Sequence, residues 1–408
     1  MRSRRLIKIV SPLILGAMAL SACGGGEDSG SDNGSDSAAG DKVVKIGFIS
    51  PLSGDLSALG LGMRNSIELA IRQANEKKTV KGWTIQLAAE DDTATANVGA
   101  QVATKLAGDN QVAAVVGTLN SSVAQQVQPI LDSANIAMVS PANTNPTLTQ
   151  GDKPDAKARP YKSYFRVATT DAIQGPFAAQ YLFNTAGKKS VAVVHDKKTY
   201  GQGLTDAFKA EFTKLGGKVL TTETVGDKDT NFSAVISKIK PLNPEAVYYG
   251  GEFPVASLLS SQMKAGGLRI PLMGGDGIFS GKYIETGKAA VEGDLATSVG
   301  APVEQLDTAK TFVADYAAAK FPEPYEAYGA YAYDAANVII DALAKALDGK
   351  DDVESAREDI IAAIQDTNLK GVTGDVAFDE FGDTTTKVLT VYKVTSGKWA
   401  PDKVDTFK

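Results

Sequence analysis

From Val43 onward, short apolar runs alternate with stretches in which apolar residues recur every three or four positions. Val43–Ser50 reads as a strand, and Met63, Ile67, Ala70, Ile71 and Ala74 then fall on one face of a helix. Thr84–Glu90 predicts a second strand, followed by a helix striped by Val98, Val102 and Leu106. Val112–Gly117 is a continuous apolar run of buried-strand type. Val123, Val127, Ile130 and Leu131 mark the next helix, and Ala137–Ser140 a further short strand. After a long polar stretch from Pro141 to Tyr164 the rhythm restarts, with strands at Ser190–His195, Lys218–Val225, Ala246–Tyr249 and Leu272–Gly274. Helices at about Gly203–Leu215, Phe232–Ile239 and Val255–Ala265 lie between them. Helical patterns at Ala309–Lys320, Tyr328–Leu347 and Val353–Asp366 follow, and Val388–Val394 closes as a strand. Such alternation predicts an α/β protein built from two units, each a helix-covered sheet of parallel type.

The N-terminus has a different logic. Met1–Lys8 is basic, and Ile9–Leu20 is an apolar run broken by Ser11 and Pro12. That run is shorter than the roughly 20 residues a spanning helix needs, but it suits a secretory signal. It ends in Leu20-Ser21-Ala22-Cys23, which resembles the bacterial lipobox at all four positions. The resemblance implies removal of residues 1–22 and lipid attachment at Cys23, holding the protein to the outer face of the bacterial cell membrane. Residues 23–42 would then be a flexible acidic tether, rich in Gly, Ser and Asp and without a large apolar residue.

Composition narrows the chemistry. The 408 residues carry 42 Lys+Arg and 48 Asp+Glu. Loss of Arg2, Arg4, Arg5 and Lys8 with the leader leaves 38 against 48, a net charge of −10. An acidic chain of this kind argues against a nucleic-acid partner. With one Cys (Cys23) and one His (His195), a Cys/His metal site, an internal disulfide and a Cys–His dyad are excluded, and no cofactor is expected. A hydrolase would have to use His195 as its base, yet no Gly-x-Ser-x-Gly elbow accompanies it. Gly60-Leu-Gly62 and Gly201-Gln-Gly203 are each half of a dinucleotide fingerprint.

In parallel sheets, ligands sit beyond the carboxyl ends of the strands. Three such loops stand out: Thr118-Leu-Asn-Ser121-Ser122, Ser140-Pro-Ala142-Asn-Thr144-Asn-Pro146, and Gly274-Gly-Asp276-Gly277. The first two offer hydroxyls and backbone N–H groups suited to a carboxylate, and the third an acid that could meet an ammonium. Taken singly, Ser121 and Thr144 also read as ordinary cap or turn residues, and Asp276 as an acidic turn residue.

Together with His195-Asp-Lys-Lys-Thr-Tyr-Gly201 and Val247-Tyr-Tyr-Gly-Gly251, these segments resemble the branched-chain amino-acid-binding proteins of ABC importers. The resemblance runs from about Val43 to the C-terminus and implies the type I periplasmic-binding-protein fold, two Rossmann-like lobes joined by a three-strand hinge. Lobe 1 would comprise residues 43–168 and 299–386, and lobe 2 residues 169–298 and 387–408. It implies that Ser121, Thr144 and the backbone at Ala142 hold a ligand carboxylate, that Asp276 meets the ammonium, and that Tyr200 lines the pocket from lobe 2. A membrane permease would be the partner, and the protein itself a monomer.

The chain departs from the family at Glu252 and Leu59, where aromatic residues are usual, and at Asn120, where some members have a cysteine. Leu59 leaves an aliphatic wall. Glu252 either faces the ligand, favouring a polar or amine-bearing side chain, or is a solvated loop acid paired with a surface Lys or Arg. A ligand-sensing receptor subunit for a polar amino acid, amide or other small carboxylate is the alternative to an importer component.

Overall fold

The computed structural model describes residues 42–407, so the leader, Cys23 and nearly all of the tether lie outside the described residues. Five parallel strands form the first sheet, in the order β2-β1-β3-β4-β5. They are β1 (Lys42–Ser50), β2 (Trp83–Asp91), β3 (Val112–Gly117), β4 (Ala137–Ser140) and β5 (Tyr164–Arg166), with helices α1 (Ser57–Glu76), α2 (Ala96–Ala107), α3 (Ser121–Ser133) and α4 (Thr147–Gln150) between them. The central strand β3 is buried at every position, as a strand covered on both faces must be. The apolar stripe read in the sequence is the buried face of α1. In α2 the fully buried residues are Gly99, Ala103 and Leu106, and Val102 packs partly buried against the same core. Small residues let α2 close on α3, where a Cβ on Gly99 would run into Val123.

The second sheet has seven strands in the order β14-β13-β10-β9-β8-β6-β7. Helix α5 (Asp171–Gln180) leads into β6 (Ser190–His195), α6 (Thr199–Lys214), β7 (Lys218–Thr224), α7 (Ser233–Ile239), β8 (Ala246–Gly250), α8 (Phe253–Ala265), β9 (Leu272–Gly274), α9 (Gly281–Gly287) and β10 (Leu295–Ser298). The chain then returns to cover the first sheet with α11 (Gly329–Ala346), which packs along α1, and α12 (Arg357–Gln365), which reaches β3 and β4; α10 (Lys310–Ala319) precedes them. After a small hairpin, β11 (Asn368–Gly371) with β12 (Gly374–Ala377), the chain adds β13 (Val388–Thr395) and β14 (Lys398–Thr406) to the second sheet, both antiparallel to their neighbours.

Eight elements go beyond the sequence reading: β5, β10, β11, β12, β14, α4, α5 and α9. The polar stretch ends at Tyr164, as expected, but Tyr164 and Phe165 enter the first sheet as an unforeseen strand, and Arg166 enters it with them. Arg166 is fully buried. Its Nε meets Asp383 Oδ1 at 2.6 Å, and its Nη1 donates to the carbonyls of Asn143 and Asn145 at 3.0 and 2.8 Å. A further bond from Nη2 reaches the Thr149 hydroxyl. One guanidinium thus fixes the whole loop after β4 against the 379–384 turn. Replacing Arg166 by Met would strand the Asp383 carboxylate, an expected loss of about 3–5 kcal/mol in urea unfolding. Removing both charges as Arg166→Met with Asp383→Leu should recover much of that loss; a single mutant as stable as the parent would show that the pair is not holding the loop.

Candidate functional site

The carboxyl ends of β3, β4, β8 and β9 open on one small, nearly closed cavity. It is lined by Leu59, Leu119, Asn120, Ser121, Ala142, Tyr200, Glu252, Asp276, Gly277 and Tyr328. Six of the seven ligand residues expected from the sequence are in this lining. The seventh, Thr144, is fully buried behind it, and its backbone carbonyl accepts from the Asp171 N–H at 2.8 Å.

One corner offers unused donors. Helix α3 starts at Ser121, and its N-cap residue Asn120 makes no side-chain cap bond. The Ser121 hydroxyl is buried without a hydrogen-bond partner, while the Thr144 hydroxyl, also buried, has the Asp171 carboxyl beside it. Such an orphan is uncommon enough to need a cause. A helix start with a spare hydroxyl beside it suits a carboxylate.

The opposite corner is an acid without a cation. Asp276 Oδ1 accepts from Tyr200 Oη at 2.8 Å and Gln174 Nε2 at 3.0 Å, and Oδ2 from Tyr328 Oη at 2.9 Å. Gln174 is held in that orientation because its Oε1 accepts from the Asp276 N–H and the Thr297 hydroxyl. Burial pushes the Asp276 carboxyl up, against the pull of these three hydrogen bonds. Behind it, Asp171 is pushed well above the usual range, by burial first and then by the Asp276 charge. Burial likewise keeps Tyr200 and Tyr328 protonated, so both remain donors. The glycines around Asp276 have a steric reason, since a Cβ on Gly275 would collide with the Tyr200 hydroxyl.

Leu59, Leu119 and Ala142 supply the aliphatic wall. Glu252 lines the cavity as a largely buried side chain, not a solvated loop acid, and Lys198 Nζ lies 3.9 Å from its Oε2. Its closest partner is Asn120, whose Nδ2 donates to Oε1 at 2.6 Å across the cleft. Tyr328 to Asp276 is a second such bond between the two sheets' units, and Asn145 Nδ2 to the Thr199 carbonyl, at 2.7 Å, a third. Nothing in the sequence pointed to Tyr328, Leu119 or Gln174. Tyr328 opens the helical pattern read for α11, but its partner is 52 residues away.

His195 is not in the lining; it is buried, and its Nδ1 accepts the Lys197 N–H at 3.1 Å. Burial lowers its pKa. Among the described residues no cluster of His, Cys, Asp and Glu is arranged to hold a metal, and no helix is long and apolar enough to cross a membrane.

Two sheet-and-helix units closing on a cleft at their strand ends define a solute-binding protein of the type I periplasmic fold. A family model described as periplasmic binding protein matches residues 43–398, and the chain belongs to that family. A Leu/Ile/Val-binding protein homolog of Brucella abortus is 35% identical over 340 residues, covering 83% of this chain and 87% of that protein. The Leu/Ile/Val-binding protein BraC3 of Rhizobium johnstonii is 31% identical, covering 87% and 92%. The crystal structure of a leucine-binding protein from Thermotoga maritima superposes with a TM-score of 0.79 at 32% identity, covering 89% of this chain and 99% of that one. The family is one of extracytoplasmic binding proteins and not of enzymes, and the hydrolase reading of His195 falls with that membership.

Next to Glu252 sits Asp196, whose Oδ2 is buried without a partner. Its carboxyl is pushed up to about 8, by burial first and then by the Glu252 charge. The folded state therefore keeps a proton that the unfolded chain releases near pH 3.9. This contribution to stability is present in acid and is lost as pH rises from about 4 through 8. The melting temperature is expected to fall between about pH 5 and pH 8.5, and to fall less in Asp196→Asn. Parallel melting curves for the two proteins would remove Asp196 from the pH dependence.

Proposed function

We propose that this chain is a lipid-anchored solute-binding protein that captures an α-amino acid between two closing lobes and delivers it to an ABC permease. The observation that carries the reading is Asp276: a buried carboxylate held by three neutral donors, in a cavity whose described lining contains no Lys, Arg or His. A ligand ammonium would supply the missing counter-charge, while Ser121, Thr144 and the start of α3 would hold the ligand carboxylate. Leu59, Leu119 and Ala142 would pack on the carbons of the ligand side chain. Leu, Ile and Val are the first ligands to test, given the names of the relatives. The isoleucine-bound binding protein LivJ of Streptococcus pneumoniae, 25% identical with a TM-score of 0.79, points the same way.

The lobes in this proposal are residues 43–168 with 299–386, and 169–298 with 387–408. Sheet membership supports these bounds, since β5 ends at Arg166, β10 at Ser298, and β13 starts at Val388. The three crossings near Thr169, Val299 and Thr386 would form the hinge. A ligand contacting both lobes favours the closed form by its differential affinity for it. The site draws all its residues from one chain, so a monomer suffices.

Thermal stabilisation of the purified full-length protein across the amino acids tests the ligand class, since ligand at 100 times its Kd adds about 2.7 kcal/mol. Silence across the panel would remove the amino-acid reading. Asp276→Asn should weaken binding by about 2–5 kcal/mol, because the ammonium would enter a buried site with no anion. The same change should raise the stability of the unliganded protein, because a buried charge is removed while its shape is kept. Unchanged affinity would take Asp276 out of the ammonium role. For the anchor, Cys23→Ala should move the protein from the membrane fraction to the soluble one; retention on the membrane would exclude lipidation at Cys23.

A further inference from the structure

We propose that Glu252 and Asn120 form a side-chain subsite for an amino acid ending in a carboxamide, the asparagine or glutamine class, an inference that rests on the α-amino-acid reading above. The two residues face each other from opposite sides of the cleft, Asn120 just before α3 and Glu252 just before α8. Neither caps its helix with its side chain, so both side chains are directed elsewhere, and both line the cavity.

Their hydrogen-bonding capacity is not fully used. Glu252 Oε1 takes the Asn120 Nδ2 donor, and the carboxylate also has the Asp196 carboxyl beside it and the Lys198 ammonium 3.9 Å from Oε2. Asn120 Oδ1 is buried with no partner. The pair therefore presents an acceptor that an aliphatic side chain leaves unmet. A carboxamide matches both partners: its NH2 carries two donors, one for Glu252 and one for the unmet Asn120 Oδ1. The single Asn120–Glu252 bond across the cleft would become two bonds through the ligand.

A cationic side chain fits less well. The Glu252 charge is already offset from outside by Lys198, which in turn meets Asp227 at 3.0 Å. Glu252 also borders the wider cleft lined by Ser53, Asp55, Lys198 and Asp227, so there is room beyond the aliphatic wall for a side chain to extend toward it.

The test is titration calorimetry of the purified full-length protein with asparagine, glutamine, leucine, isoleucine, valine and lysine. The expected result is that asparagine or glutamine binds at least about tenfold more tightly than leucine, since a site built around unmet polar groups discriminates against ligands that leave them unmet. Glu252→Leu should reverse that order. Asn120→Leu should shift it the same way and gives an independent reading should the first variant fold poorly. Glu252→Gln, which keeps an acceptor oxygen, should retain the amide preference. Leucine, isoleucine or valine binding as tightly as the amides would overturn the proposal, as would an amide-to-leucine ratio unchanged in the folded Glu252→Leu protein. Tighter binding of lysine would overturn the carboxamide assignment in favour of a cation. If no amino acid binds, the α-amino-acid reading itself fails, an outcome distinct from any of these.

Discussion

The fully buried guanidinium of Arg166 is the contact on which the geometry of the cleft depends. A charge at that depth is tolerated only when its donors are used, and here an acid, two backbone carbonyls and a hydroxyl take them. The carbonyls belong to Asn143 and Asn145, in the loop after β4 that also carries Ala142 and Thr144. That loop is held from within by Ser140 Oγ, which takes the Ala142 and Asn143 N–H groups, and from beneath by the arginine. Asn145, pinned this way, also sends its side-chain amide across to the Thr199 carbonyl at 2.7 Å. One buried cation in the first-sheet unit thus shapes a wall of the cavity and a contact between the two units.

The parallel strands were legible because strands covered on both faces are written as short apolar runs, and β3, β4, β6 and β9 lie where those runs lie. What escaped shows where that signal fails. Strand β5 contains the buried Arg166, which no hydrophobic pattern would admit to a core. Helix α5 includes Gly175 and Pro176, poor helix formers, and the π-helical turn at Tyr181–Thr185 follows it. Strand β14 is largely exposed and includes Pro401, features of an edge strand rather than a buried one.

The site divides along the same line. Ser121, Ala142, Glu252 and Asp276 follow directly on strand ends, so topology alone makes them candidates. Tyr328 and Gln174 reach Asp276 from 52 and 102 residues away. Which aromatic or amide faces a given acid depends on how α11 and α5 pack, and short-range patterns carry no record of that.

Around the cleft stand four carboxyl groups, Asp171, Asp196, Glu252 and Asp276, and the fold accommodates each differently. Asp171 and Asp196 are pushed toward the neutral form by burial and by the acid beside each of them. Glu252 keeps an amide on one oxygen and a lysine beyond the other. Asp276 alone relies on neutral donors, two of which are phenols whose own burial holds them protonated. Three hydrogen bonds orient that carboxylate without cancelling its charge, so the unliganded cleft stores an electrostatic cost. Tyr328 comes from the first-sheet unit and Asp276 from the second, so closing the cleft completes the cage around that charge. In the proposed function, an ammonium brought in at that moment would remove the cost, and ligand binding and closure would become a single electrostatic event.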